Sequence, residues 1–182
     1  MRIVVLAGGL SMERNVSLSS GNKICRALRS RGHQAILVDM FLGFEVYEGK
    51  LDDVFDAPDG FCGDYSVAEA DLAAVRTSRK DQSRSMFGTG VLDVCAKADI
   101  VFLALHGTCG EDGIFEGMVE MTGIPYAACN PLSSANGMDK ITMKMILRQS
   151  GIPVVDYTWF TDRQWGTDKQ RFIDEAEKTL GY

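Results

Sequence analysis

The chain opens with an uninterrupted apolar run, Ile3-Val4-Val5-Leu6-Ala7, that breaks at Gly8-Gly9. Apolar residues without polar alternation predict a strand covered on both faces, as in a parallel sheet flanked by helices. Residues 11–17 lead into a helix in which Leu18, Ile24, Ala27 and Leu28 share a stripe, and Gly32 ends it. Residues 34–39 repeat the strand pattern, so the first forty residues read as one right-handed βαβ unit. The dinucleotide-binding fingerprint is incomplete, because Asn15 and Val16 stand where its third glycine belongs, which argues against a nicotinamide cofactor.

Residues 43–90 lose this periodicity. Asp52-Asp53, the acidic positions from Asp56 to Asp59 and the polar stretch 76–84 predict an irregular, partly mobile excursion with a short hairpin around residues 47–50. A helix over residues 90–97 returns the chain to a second apolar run, Ile100-Val101-Phe102-Leu103-Ala104-Leu105, followed by His106-Gly107-Thr108-Cys109-Gly110-Glu111-Asp112-Gly113. A buried strand opening into glycines and ionisable groups is where open α/β sheets place their ligand sites. Asp112 is placed to cap a helix running to about Met121, and residues 124–128 supply another strand.

A new unit begins near Asn130. Met138, Ile141, Met145 and Ile146 lie on one helical face, with Lys140 and Lys144 on the opposite one. Gly151-Ile152-Pro153 ends that helix, residues 154–160 read as a strand and residues 168–180 as an amphipathic helix. A β-α unit without partner strands cannot bury both its faces, which predicts a second domain cut short. The expected organisation is therefore an open parallel-sheet, Rossmann-like α/β domain over residues 1–130, then an incomplete domain over 131–182.

The 182 residues are 46% hydrophobic and 24% charged, ordinary for a globular chain. A net charge of −6, with no basic block, argues against nucleic acid or an anionic membrane as partner. No segment reaches the length of a membrane span, and the amino-terminal apolar run is too short for a signal-peptide core. Five widely spaced cysteines, Cys25, Cys62, Cys95, Cys109 and Cys129, with no Cys-x-x-Cys pair, fit reduced thiols in a cytoplasmic protein better than a disulfide framework. The nine methionines, Met118, Met121, Met138, Met143 and Met145 among them, read as core filler.

Several residues carry chemistry if the fold brings them together. Glu13, after the Gly8-Gly9 turn, can receive a substrate ammonium; taken alone it reads as a solvated glutamate near a helix start. Parallel strands would put His106 at the same edge, where its flanking glycines permit close approach of a ligand. Glu111 reads as an acceptor that fixes its loop, and with Asp112 as a cap no metal shell can be completed. Cys109 lacks a partner group that would make it a nucleophile. Lys140 can meet a phosphate as a point charge, against the plainer reading of a solvated helix lysine.

Taken together, Gly8-Gly9-Leu10-Ser11-Met12-Glu13-Arg14-Asn15-Val16-Ser17-Leu18, the segment from His106 to Gly113, Ser134-Ala135-Asn136-Gly137-Met138-Asp139-Lys140, and Gly151-Ile152-Pro153-Val154 resemble the D-alanine:D-alanine ligase family of the ATP-grasp superfamily. The resemblance implies a pre-ATP-grasp substrate-binding domain followed by the start of an ATP-grasp central domain. It also implies a cytoplasmic, homodimeric peptidoglycan enzyme that uses ATP and Mg²⁺. In such enzymes ATP phosphorylates one D-alanine and the amine of a second attacks the acyl phosphate.

By position, Glu13 resembles the glutamate that holds the first D-alanine's ammonium, with Gly8 and Gly9 lining the same site. His106 resembles the histidine beside the substrate carboxylates, and Lys140 the lysine that reaches the nucleotide phosphates. Glu116 departs from the family's usual glutamine, with an expected effect on loop packing. The family's second phosphate lysine, lid loop, acyl-phosphate arginine and Mg²⁺ ligands would all follow residue 182, so the 182-residue chain is expected to be inactive alone. D-alanine:D-lactate or D-alanine:D-serine ligation, a non-catalytic D-amino-acid-binding module and a dimerisation domain are the alternative readings.

Overall fold

Alternate residues of the first apolar run enter opposite faces of one sheet. In the computed structural model, which describes residues 1–181, strands β1 (Arg2–Ala7), β2 (Gln34–Asp39), β3 (Ile100–Leu103) and β4 (Tyr126–Ala127) are all parallel, in the order β2-β1-β3-β4. Ile3, Val5 and Ala7 pack with Ala35, Leu37 and helix α1 (Arg14–Ser30). Val4 and Leu6 point the other way, into a core with Ile36, Val38 and Val101. Helix α2 (Leu72–Ser78) is exposed, whereas α3 (Val91–Lys97) and α4 (Ile114–Thr122) cover this second face through Val91, Val94, Phe115 and Val119. The expected α/β class with both sheet faces buried is therefore present.

The buried stripe of α1 differs from the expected one. Ala27 is exposed, while Leu18, Gly21 and Cys25 are buried. At about 100° per residue, Ala27 lies half a turn round the helix from Leu18. A Cβ at Gly21 would stand 2.8 Å from Ala7 Cβ and 3.0 Å from Leu37 Cδ1, so the missing side chain lets α1 lie close against the sheet.

Residues 43–90 carry the short helix α2 and a 3-10 turn between irregular stretches, and form no hairpin at 47–50. Tyr47 instead makes edge contacts with Phe44 and Phe61, at 6.0 and 5.6 Å between ring centroids. Val54 and Phe55, in a 3-10 turn (Val54–Asp56), are buried in the core. Arg79 is 1% exposed, stacks on Phe41, and donates to Asp81 and to the Ser85 carbonyl. The segment is thus packed onto the domain by apolar and cationic anchors that its polar composition conceals.

The chain divides into two compact units, Met1–Ala135 and Asn136–Tyr182. Across the division the expected single helix is two, α5 (Pro131–Met138) and α6 (Lys140–Gln149). Asp139 separates them because its extended backbone and its carboxylate, which accepts from Thr142 N–H at 2.7 Å, cap α6. The bond from Thr142 N–H, above all, holds the Asp139 carboxyl below its ordinary pKa.

Residues 154–160 form no strand, since no described strand lies alongside to pair with them. Helix α7 (Asp162–Thr167) carries a capping box at Thr161, and Asp168 caps α8 (Lys169–Leu180), close to the expected span 168–180. Met40 and Met118 belong to the core, but Met121, Met138 and Met145 are exposed and are not filler. Among the described residues, no helix is long and apolar enough to cross a membrane.

Candidate functional site

The strand order locates the site before any side chain is considered. From β1 the chain passes to β2 on one side, and β3 lies on the other, so the sheet has its switch point between β1 and β3. Loops leaving the carboxyl ends of such neighbours diverge and open a crevice. Here they are the Gly8-Gly9 loop and the loop that begins at Ala104.

Gly8 and Gly9 both adopt left-handed backbone, at φ 77° and 78°. A Cβ on Gly8 would press on the Asp39 carboxylate at 2.9 Å. Gly8 N–H donates to Ser17 Oγ at 2.8 Å, and the Ser17 hydroxyl donates to the Ala104 carbonyl at 2.6 Å. One buried hydroxyl on α1 therefore ties the first loop to the end of the second strand. Arg14, 5% exposed, donates to the Gly9 carbonyl at 2.6 Å and forms an ion pair with Asp39. Asp39 also accepts from the N–H groups of Phe41 and Leu42. On this side lies a mainly apolar cavity of about 430 Å³, lined by Leu37, Phe44, Tyr47, Phe61 and Tyr65 as well as the ion pair.

The second loop is held by its own acceptors. β3 ends at Leu103, so His106 lies three residues into the loop and does not end the strand as expected. Ser11 Oγ donates to the His106 carbonyl at 2.8 Å. The His106 ring stands between Ser20 Oγ, 3.1 Å from Nε2, and Glu111 Oε1, 3.6 Å from Nδ1. Glu111 Oε2 accepts from Gly107 N–H at 2.8 Å, the loop-fixing role its position suggested. Asp112 accepts from Cys109 and Ile114 N–H, but Gly113 occupies the cap position, which moves Asp112 one residue ahead of the cap expected for it. Burial first, then Asp112, pushes the Cys109 thiol pKa up, which leaves less of the thiolate a nucleophile needs. All five cysteines are free.

Glu13 and the second loop meet at Gly107. With φ at 71°, Gly107 is left-handed, and a Cβ there would stand 3.1 Å from Glu13 Oε2 and 3.3 Å from Ser11 Cβ. The structure thus brings Gly8, Gly9, Glu13 and His106 to one edge of the first unit. Lys140 belongs to the second unit, where it is exposed at the start of α6 and its Nζ donates to the Gly137 carbonyl at 2.8 Å.

Among the described residues no group of three or more His, Cys, Asp or Glu is placed to hold a metal ion. The carboxylates of Glu111 and Asp112 are engaged by backbone N–H, so this donor set does not fit Mg²⁺. Lys140 fits an anionic phosphate as a point charge. Glu116 is buried, with Oε1 accepting from Ser134 at 2.9 Å and Oε2 without a partner among the described residues.

Sequence reasoning passed over Ser11, Ser17, Ser20 and Arg14, which do most of the joining. A signal existed for two kinds of them. Ser17 and Ser20 are one helical turn apart beside the apolar stripe, and Arg14 sits at a helix N-terminus, where a cation is disfavoured unless a fixed acceptor holds it.

Comparison with known proteins bears on this arrangement. Residues 2–129 match the family described as "D-ala D-ala ligase N-terminus". A D-alanine–D-alanine ligase of Lacticaseibacillus casei is 40% identical over 162 residues, covering 88% of this chain and 45% of its own. The solved D-alanine-D-alanine ligase of Coxiella burnetii superposes with a TM-score of 0.58 at 26% identity, covering 96% of this chain and 50% of its own. A Bacillus anthracis D-alanine–D-alanine ligase solved in complex with ATP shares the fold, with a TM-score of 0.54 at 24% identity and coverage of 100% and 56%. The chain spans about half the length of the relatives it matches. With the matched segment covering the whole parallel sheet and both loops of the crevice, the chain belongs to the family of D-alanine–D-alanine ligase N-terminal domains.

Proposed function

We propose that this chain supplies the first substrate site of an ATP-dependent ligase that joins two D-alanines through an acyl phosphate for peptidoglycan synthesis. The observation that carries the reading is the meeting of Glu13 and the His106 loop at the sheet's switch point. A carboxylate beside the left-handed Gly107 suits a small amino acid, whose ammonium goes to Glu13 while its body lies beside His106. Ligands in open α/β sheets bind in such crevices.

In this reading residues 1–130 are the substrate-binding domain and residues from 131 begin the ATP-grasp domain, where Lys140 offsets phosphate charge. ATP supplies the activating phosphoryl group. Among the described residues no carboxylate cluster is placed to hold Mg²⁺, so no role in metal binding is assigned to them. The working enzyme is a cytoplasmic homodimer in this proposal.

The test is a calorimetric titration of D-alanine into the 182-residue chain and into Glu13→Gln. Loss of a charge-assisted hydrogen bond is expected to weaken binding on the order of tenfold to a hundredfold. Equal affinity for both proteins would remove Glu13 from the site.

A further inference from the structure

Among the described residues, Ser20 is the crevice hydroxyl that touches a titratable side chain of the site, His106. Its Oγ lies 2.9 Å from the Val16 carbonyl and 3.1 Å from the Ser17 carbonyl of its own helix, and 3.1 Å from His106 Nε2. A hydroxyl has one hydrogen and two lone pairs. Helical serines give that hydrogen to the carbonyl three or four residues back. Ser20 therefore faces His106 as an acceptor.

We propose that Ser20 is a positioning residue for His106: it holds the ring with the hydrogen on Nε2 and leaves Nδ1, with its lone pair, turned toward the Glu111 loop. Two partners compete for the ring. Glu111 Oε1 draws a hydrogen to Nδ1, but at 3.6 Å it is beyond hydrogen-bond length, whereas Ser20 is within it. The tautomer of a histidine is set by the partner that the other nitrogen makes. With Nε2 committed, the ring meets a ligand through an acceptor. The carboxylates of Glu13, from the first loop, and Glu111, from the second, both lie beside Gly107. Together they make this side of the crevice a receptor for an ammonium group. The ligand half of this inference rests on the proposed D-alanine site; the tautomer half does not.

The experiment is a long-range ¹H–¹⁵N correlation of the imidazole rings in the ¹⁵N-labelled 182-residue chain. It is run at about pH 8.5, where ordinary histidines are neutral. His33, the only other histidine, is the internal reference. His106 is expected in the Nε2–H form in the wild type. In Ser20→Ala the carboxylate of Glu111 has no competitor, and the pattern is expected to move toward Nδ1–H. Ser20→Thr keeps a hydroxyl that bonds back to its helix and is expected to restore the wild-type pattern. D-alanine affinity on the same samples is expected to fall about three- to tenfold in Ser20→Ala and to recover in Ser20→Thr.

An unchanged His106 pattern in Ser20→Ala, with His33 also unchanged, would overturn the proposal. So would a wild-type ring already in the Nδ1–H form. Absence of D-alanine binding by the wild type would contradict the proposed function, while the ring pattern would still decide the role of Ser20.

Discussion

Replacing Arg14 by methionine is expected to destabilise the chain by about 3–5 kcal/mol, the usual cost of removing one partner from a buried ion pair. Side chains of Arg14 and Asp39 are 6% and 16% exposed, so water screens the pair poorly. The substitution leaves the Asp39 charge at the end of β2 with only the N–H groups of Phe41 and Leu42, and it deprives the Gly9 carbonyl of its donor. Methionine keeps most of the volume, so little of the loss comes from a cavity. Urea denaturation monitored by circular dichroism reads the effect. The double variant Arg14→Met/Asp39→Asn is expected to recover part of it, because the stranded charge is gone. A loss below about 1 kcal/mol in the single variant would mean that the pair is not buried in solution.

Ser17→Ala is expected to have the next largest effect. It removes the acceptor of Gly8 N–H and the donor to the Ala104 carbonyl, both within the buried interior. Leaving a buried polar group unpaired costs roughly 1–3 kcal/mol. Two such groups on adjacent strand ends are expected to loosen the Gly8-Gly9 loop as well as the fold. D-alanine affinity should therefore fall along with the urea midpoint. Retained affinity at reduced stability would separate the loop from the site.

The sheet was legible because its signal is local and strong. Ile3 to Ala7 and residues 35–38 are apolar without alternation, as in a strand covered on both faces. The excursion after residue 43 was legible only as irregular, since the packing of Phe61 on Phe44 and Tyr47 follows no helix or strand period. The missing strand at residues 154–160 has the same cause in reverse: β-pattern alone makes no strand without a neighbour to bond.

At the crevice, glycines and charged residues announced Gly8, Gly9, Glu13 and His106. The serines did not, because a helical serine has no preferred environment until a distant carbonyl or ring is placed beside it. Ser11, Ser17 and Ser20 reach partners 86 to 95 residues away, and such pairings come from topology, not composition.

The most direct measurement is to add D-alanine, and separately L-alanine, to the ¹⁵N-labelled chain and follow the backbone amides. The account predicts that D-alanine shifts Gly8, Gly9, Glu13 and the amides from Gly107 to Glu111, with little response to L-alanine. No shift at these amides, or equal shifts with both enantiomers, would contradict it.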